Sequence, residues 1–137
     1  MKIPKNLLFS EDHVWVLPKQ RNIARIGITE FILQESDEIE KINIYVEEDT
    51  EIEAGDIIGE IETSDGTVEI VSPISGRVLK LNQDVIDNPE TIIEDPYKEG
   101  WLMEIETSDS LESFSLLPYK EYKKTIEEKE EEDEEEI

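Results

Sequence analysis

The chain of 137 residues has no cysteine, a single histidine, and only 13 lysines and arginines against 37 acids. The absence of cysteine excludes a disulfide framework and any cysteine-ligated metal site. No apolar run approaches the roughly 20 residues of a membrane span, and residues 1–6 lack the sustained apolar segment of a secretory signal. We therefore expect a soluble, cytoplasmic protein.

The net charge of −24 is spread over the whole chain. Residues 127–137 hold nine acids and one lysine, which leaves −16 on the remainder. Because phosphate groups are bound by lysine and arginine, nucleic acid and anionic membranes are poor partners for such a surface. Basic proteins or cations match it better.

Short apolar or alternating segments, separated by turn residues, run through most of the chain. Strands are predicted at residues 7–9, 13–17, 23–29, 39–46, 52–56, 57–63, 67–72, 77–81 and 101–106. Such a series of short strands predicts an all-β barrel or sandwich with terminal helices.

Two predictions concern the connections between strands. Thr29 is a candidate N-cap for a short helix over residues 29–35, because its hydroxyl can accept an orphan backbone N–H. Residues 84–100 are dense in Asn, Pro, Asp and Gly, which predicts a long loop with at most a helical turn near Ile86.

Near the C-terminus the apolar spacing changes to that of a helix. Residues 111–117 carry apolar side chains about one helical turn apart, and a second helix is predicted at residues 119–126. Self-repulsion should leave the acidic segment 127–137 frayed or disordered. We therefore expect one domain over residues 1–126, followed by an acidic tail.

The dipeptide Asp65-Gly66 lies between two predicted strands. Asp-Gly is the strongest short-range hairpin signal, because a type I′ turn needs positive φ at both central positions. Closure at this dipeptide predicts the cross-strand pairs Ser64 with Thr67, Thr63 with Val68, Glu62 with Glu69 and Ile61 with Ile70. The predicted tip presents a short acidic side chain and no nucleophile.

Several motifs occur in an order and spacing that resemble one family. They are His13-Val14-Trp15-Val16, Ile26-Gly27-Ile28-Thr29, Ile52-Glu53-Ala54-Gly55-Asp56, Ser72-Pro73-Ile74-Ser75-Gly76, Asn88-Pro89-Glu90 and Glu94-Asp95-Pro96-Tyr97-Lys98-Glu99-Gly100-Trp101-Leu102. From about residue 8 to about residue 122 the chain resembles the H protein of the glycine cleavage system. The resemblance implies a mainly β fold, the barrel-sandwich hybrid of lipoyl domains, with short helices, mainly C-terminal.

The resemblance implies a carrier and not an enzyme. In this family a lysine at the hairpin tip is lipoylated, and the arm carries an aminomethyl group between partner enzymes. In the ungapped register that position holds Asp65, and a shift of one residue gives Ser64 or Gly66. Because an amide to lipoate needs a lysine amine, we expect no lipoate here; the nearest lysines, Lys41 and Lys80, belong to other predicted strands.

Four residues form the candidate recognition face. Glu60, Glu62 and Glu69 are predicted on the outward side of the hairpin, where opposed like charges cost about 0.2–1 kcal/mol. The three glutamates are either tolerated by chance or retained because they bind a basic partner. Asp65 likewise either simply closes the turn or belongs to a changed recognition surface. His13, the lone histidine, is interpreted as a packing or hydrogen-bonding residue, and the resemblance adds it to the face.

No catalytic or metal-binding residues are predicted. With 37 acids, close carboxylate pairs arise by chance, and no loop has EF-hand spacing. Trp15 and Trp101 are interpreted as core anchors.

Three functions remain open at this point. The leading one is a non-lipoylated H-protein-like module that binds glycine cleavage enzymes or a lipoate-handling protein. The second is a working carrier attached at another lysine, for example Lys41 or Lys80. The third is an enzyme, or an acidic protein that binds a cation such as Ca²⁺, that uses the hairpin face.

Overall fold

The computed structural model describes residues 7–20, 22–33, 38–107, 109–111 and 114–135. Within these ranges ten strands form two antiparallel sheets. The strands are β1 (Leu8–Phe9), β2 (Val14–Gln20), β3 (Ile23–Ile28), β4 (Ile39–Ile44), β5 (Glu51–Ile52), β6 (Ile57–Thr63), β7 (Gly66–Val71), β8 (Gly76–Leu81), β9 (Met103–Glu106) and β10 (Leu117–Pro118). The helices are a 3-10 helix (Glu30–Leu33), α1 (Gln83–Asp87), α2 (Glu90–Glu94) and α3 (Tyr119–Glu135).

The two sheets share one apolar core. The larger sheet has the order β10-β1-β2-β3-β9-β8-β5 and the smaller one β4-β6-β7. Ile26 and Ile105 of the larger sheet and Ile61 and Ile70 of the smaller sheet are fully buried in the same cluster. Because side chains alternate between the faces of a strand, the polar residues between them lie outward. The mainly β, two-layer fold is confirmed, and the sheets remain separate.

A second apolar cluster holds α3 against the larger sheet. Its fully or largely buried members are Leu7, Phe9, Trp15, Tyr97 and Tyr122. The rings of Phe9 and Tyr122 stack with their centroids 4.5 Å apart. The Trp15 indole donates to the carbonyl oxygen of Pro96 at 3.0 Å. Gly27 makes room for this indole, because a Cβ at that position would lie 2.4 Å from the Trp15 ring.

The prediction of a long loop over residues 84–100 is wrong, because α1 and α2 occupy part of it. The expected turn near Ile86 lies within α1. The Asn82 amide, just before α1, donates to the carbonyl oxygens of Glu99 and Trp101 at 3.1 and 2.8 Å. These bonds fix the two ends of the segment to each other, which makes short helices stable there. Of the three α-helices in the described ranges, two therefore precede the C-terminal region.

Thr29 caps a 3-10 helix, as its predicted N-cap role required. Its hydroxyl oxygen accepts the backbone N–H of Phe31 at 3.3 Å, and the 3-10 helix spans Glu30–Leu33. The rest of the predicted helix, residues 34–35, lies outside the described residues.

The prediction of a helix at residues 111–117 is wrong for its second half, residues 114–117, which is not helical. Leu117 and Pro118 form β10, which pairs with β1 at the edge of the larger sheet. Proline is tolerated at a sheet edge, where the ladder does not need its missing N–H. Residues 112–113 lie outside the described ranges.

The C-terminal helix begins at Tyr119, as predicted, and extends to Glu135 instead of ending at Ile126. Apolar spacing locates the part of a helix that packs, whereas glutamate and lysine favour helix without packing. Fraying of the acidic end by self-repulsion stays a prediction. No helix in the described ranges is both long and apolar enough to cross a membrane.

Candidate functional site

The hairpin of β6 and β7 ends in a two-residue loop, Ser64-Asp65, and both residues are exposed. Thr63 and Gly66 pair across the base of this loop. The Thr63 hydroxyl accepts the backbone N–H of Asp65 at 3.1 Å and donates to the carbonyl oxygen of Gly66 at 2.9 Å. Gly66 has a φ of 133°, a conformation that favours glycine. The tip is therefore closed by Thr63 and Gly66.

The predicted register of this hairpin is wrong: the two-residue loop lies one position earlier than predicted, and each cross-strand partner changes by two residues. Asp65 and Gly66 are not the central pair, because a type I′ turn needs positive φ at both residues and Asp65 does not have it. Glu69 consequently lies opposite Glu60 and not opposite Glu62. The Asp-Gly signal takes no account of the neighbouring Thr63, whose side chain stabilises a loop at Ser64-Asp65, one residue earlier than predicted.

Three glutamates lie on the outer face of the smaller sheet: Glu60, Glu62 and Glu69. The Asn43 amide nitrogen donates to Oε1 of Glu60 at 3.0 Å and to Oε2 of Glu62 at 2.7 Å. Both amide hydrogens therefore go to carboxylates, and these charge-assisted bonds offset part of the repulsion between Glu60 and its cross-strand neighbour Glu69. The acidic face is thus held in order by Asn43 of β4.

Tyr45 lies on the same face, directly after β4, and its side chain is 55% exposed. Desolvation, the hydrogen bond that its hydroxyl donates to Glu60 and the negative charges of Glu60, Glu69 and Glu62 all raise the pKa of this phenol. The hydroxyl therefore stays protonated and available as a donor to Glu60. Asn43 and Tyr45 were missed by sequence reasoning, and only the outward alternation of β4 pointed toward them.

Neither alternative lysine lies at the tip. Lys41 is in β4 opposite Glu62, and Lys80 is in β8 opposite Glu104. Both side chains are exposed, but they start from strands in different sheets. An arm attached to either would begin away from the Ser64-Asp65 loop.

His13 lies in the turn just before β2, with a φ of 66°. Its Nδ1 is 2.7 Å from the Tyr122 hydroxyl, which is 2.8 Å from the Thr29 hydroxyl. The residue therefore joins the larger sheet to α3, in keeping with its interpretation as a hydrogen-bonding residue. The structure does not place it on the sheet that carries the three glutamates.

Tyr122 provides a test of this contact in alkali. Burial raises its pKa to about 12, the hydrogen bond with Thr29 lowers it and the charge of Glu30 raises it further. The folded protein thus keeps a proton that the unfolded chain loses near pH 10.0, so stability should fall as the pH rises through this interval. In urea denaturation Tyr122→Phe should lose less stability than the parent over the same interval. Equal losses of stability in the two proteins would contradict the assignment of this pH dependence to Tyr122. Burial also raises the pKa of Tyr97, so both proteins should keep some loss of stability in alkali.

The sequence matches the family model described as "Glycine cleavage H-protein" over residues 7–129. The chain belongs to the glycine cleavage H-protein family. Glycine cleavage system H proteins of Carboxydothermus hydrogenoformans and Staphylococcus epidermidis are 36% and 34% identical over 126 residues. Each match covers 92% of this chain, and 95% and 98% of the respective relatives.

A solved structure agrees with this assignment. The crystal structure of a glycine cleavage system H protein from Mycobacterium marinum is similar to this chain, with a TM-score of 0.80 and 26% identity. The match covers 90% of this chain and 98% of that one. H proteins are lipoyl carriers that work with partner proteins, so this member of the family is not an enzyme.

The tryptophans of this H-protein family member differ in burial. Trp15 is fully buried, which confirms it as a core anchor. Trp101 is only half-buried, and the Arg25 guanidinium lies 4.4 Å from its ring centroid. The same guanidinium bonds to Glu104 at 3.0 Å. Trp101 packs against the second apolar cluster, so it contributes to the core from its edge, beside a surface ion pair.

A polar groove of about 630 Å³ lies beside β5 and β8. Its lining includes Glu51, Glu53 and Arg77, and Arg77 already pairs with Asp49 and Glu106 at 3.1 and 3.2 Å. In the ranges that the structure describes, no group of three or more histidines or acids is arranged to hold a metal ion. The cation-binding alternative therefore gains no site from the geometry.

Proposed function

We propose that this protein is an H-protein-like module that carries no lipoyl group and acts by binding other proteins. The observation that supports the proposal is the hairpin tip. The position of the family's modified lysine is assigned to Asp65, which shares a two-residue loop with Ser64. A carboxylate and a hydroxyl cannot form the amide that lysine forms with lipoate, so these residues do not fit the family's cofactor.

The rest of the scaffold supports retention of a binding role. The hairpin is still closed in a defined way by Thr63 and Gly66, and Asn43 still orders the carboxylates beside it. Candidate partners are the glycine cleavage enzymes and lipoate-handling proteins. Under this proposal Asp65 and the acidic face act as a recognition surface.

Attachment of lipoate at another lysine is the competing explanation. Lys41 and Lys80 are exposed, but each faces a glutamate across its strand pair and neither is in the loop. Nothing in their geometry favours either one as a carrier position.

Intact-mass measurement on protein purified from its native cell tests the proposal directly. We expect the mass of the unmodified chain, with or without its first methionine. A lipoylated protein recovered from the same cells is the control that lipoylation was active during growth. A lipoyl or octanoyl adduct would refute the proposal, and peptide mapping would then show whether Lys41, Lys80 or a different lysine carries it.

A further inference from the structure

The outer face of the smaller sheet continues past its acids into an exposed apolar patch. Three large apolar or aromatic side chains stand out as exposed in the described part of the chain: Tyr45 at 55%, Ile57 at 47% and Ile93 at 37%. Tyr45 and Ile57 both lie on this sheet, at the end of the hairpin remote from the tip, whereas Ile93 is in α2. Two exposed side chains of this size on one face call for a physical explanation.

A β-bulge places Ile57 on the outside. The β6–β7 register shifts between Ile57 and Gly59, and Ile58 is fully buried while Glu60 and Glu62 lie outward. Without the extra residue the alternation would turn Ile58 outward with Glu60 and bury Ile57. Gly59 permits this arrangement, because a Cβ there would lie 2.6 Å from the Asn43 carbonyl oxygen. The exposure of Ile57 is therefore specified by the backbone of β6.

The apolar and acidic side chains adjoin each other. Ile57 pairs with the half-buried Val71 across the hairpin. On the other flank, the Tyr45 backbone N–H donates to the Ile58 carbonyl oxygen at 2.9 Å, which places Tyr45 beside β6. An apolar patch of Tyr45, Ile57 and Val71 thus borders the row of carboxylates.

We infer that this composite face docks a protein whose surface presents lysine or arginine beside exposed apolar side chains. Long basic side chains suit such a face, since their stems cover apolar surface while their charged ends reach carboxylates. A desolvated apolar centre next to a charged rim is the usual composition of a protein interface. A second copy of this chain is disfavoured, because both copies would carry a net charge of −24. The inference rests on the proposed function and specifies the partner's chemistry.

Site-specific photo-crosslinking in the native cell tests this docking face. The photoreactive amino acid p-benzoylphenylalanine replaces Ile57 in one full-length protein and Ile93 in a matched control, and adducts are identified by mass spectrometry. We expect the Ile57 position to yield a discrete adduct with a protein that has a basic surface, and the Ile93 position not to yield it. Adding Glu60→Gln and Glu69→Gln to the Ile57 protein should reduce the adduct by about threefold to tenfold.

The remaining outcomes contradict the inference. They are equal adducts at Ile57 and Ile93, no adduct at Ile57, an adduct with a second copy of the chain, and a yield that does not change in the double glutamine variant. Circular dichroism of each variant confirms that the fold is retained. If crosslinking fails while the intact mass is that of the unmodified chain, the docking face is wrong and the proposed function stands; a lipoyl adduct would instead refute the proposed function.

Discussion

Asp65→Lys should convert this protein into a substrate for lipoate ligase. Asp65 is exposed and does not have positive φ, so lysine can adopt its backbone conformation. The backbone N–H that bonds to Thr63 is retained, and Gly66 keeps the unusual dihedral angle. Stability should therefore change by no more than about 0.5 kcal/mol. Incubation with ligase, ATP and lipoate should add the mass of one lipoyl group, and the parent protein should gain none.

Ser64→Lys is the matched control for this gain of function. It places the same amine in the same two-residue loop, one residue before the family position. We expect it to be modified far less than Asp65→Lys. Equal modification of both variants would contradict the assigned register. A folded Asp65→Lys that remains unmodified would show that recognition by the ligase has been lost as well, and the acidic face would be the next element to change.

Tyr122→Ala should lower the free energy of unfolding by about 3–5 kcal/mol, the range for truncating a large buried aromatic side chain. The ring is fully buried against Phe9, and its hydroxyl joins His13 to Thr29. Truncation removes this packing and leaves the buried Thr29 hydroxyl without its tyrosine partner. Urea denaturation followed by far-UV circular dichroism gives the measurement.

Tyr122→Phe separates packing from hydrogen bonding. It keeps the stack on Phe9 and removes only the hydroxyl, so the loss should be about 1–2 kcal/mol. If the alanine and phenylalanine variants were equally stable, the ring would contribute nothing to holding α3, and the anchoring role of the second apolar cluster would be wrong.

The strands and the family could be predicted because their signals are local. Ile26 and Ile61 lie in segments where apolar and polar residues alternate. This pattern shows which side chains face the core from residues only two positions apart. The motifs around Pro73 and Pro96 occur in the family's order. The assignment of Asp65 to the family's lysine position rests on that order and stays a prediction. The same local signals located β6 and β7 to within a residue at each end.

The hairpin register could not be predicted from the Asp-Gly signal. That signal describes the backbone preference of two residues, whereas the loop is fixed by a side chain outside the pair, Thr63. The bulge near Gly59 could not be predicted from the sequence either, because it depends on how closely β4 approaches β6 at Gly59. The opposition of Glu60 and Glu69 follows from the position of the loop, and the outward position of Ile57 follows from the bulge, so the layout of this face required the structure.

The C-terminal region was mispredicted for a different reason. Residues 111–117 have apolar side chains at helical spacing, but β1 offers Leu117 an edge to pair with. That partner lies more than a hundred residues away in the sequence, as His13 does for Tyr122. Propensity is a weak guide when such a distant partner decides the conformation.

The position of β1 between β2 and β10 has a consequence for synthesis on the ribosome. β1 needs a neighbour, β10, that is translated more than a hundred residues later, and Phe9 must wait for Tyr122 before its ring is covered. Until then a nascent chain can assemble the smaller sheet and the β2–β3 hairpin, but it must leave Phe9 exposed. Premature release before residue 122 would thus yield a product with an open apolar edge, suited to recognition by chaperones and proteases.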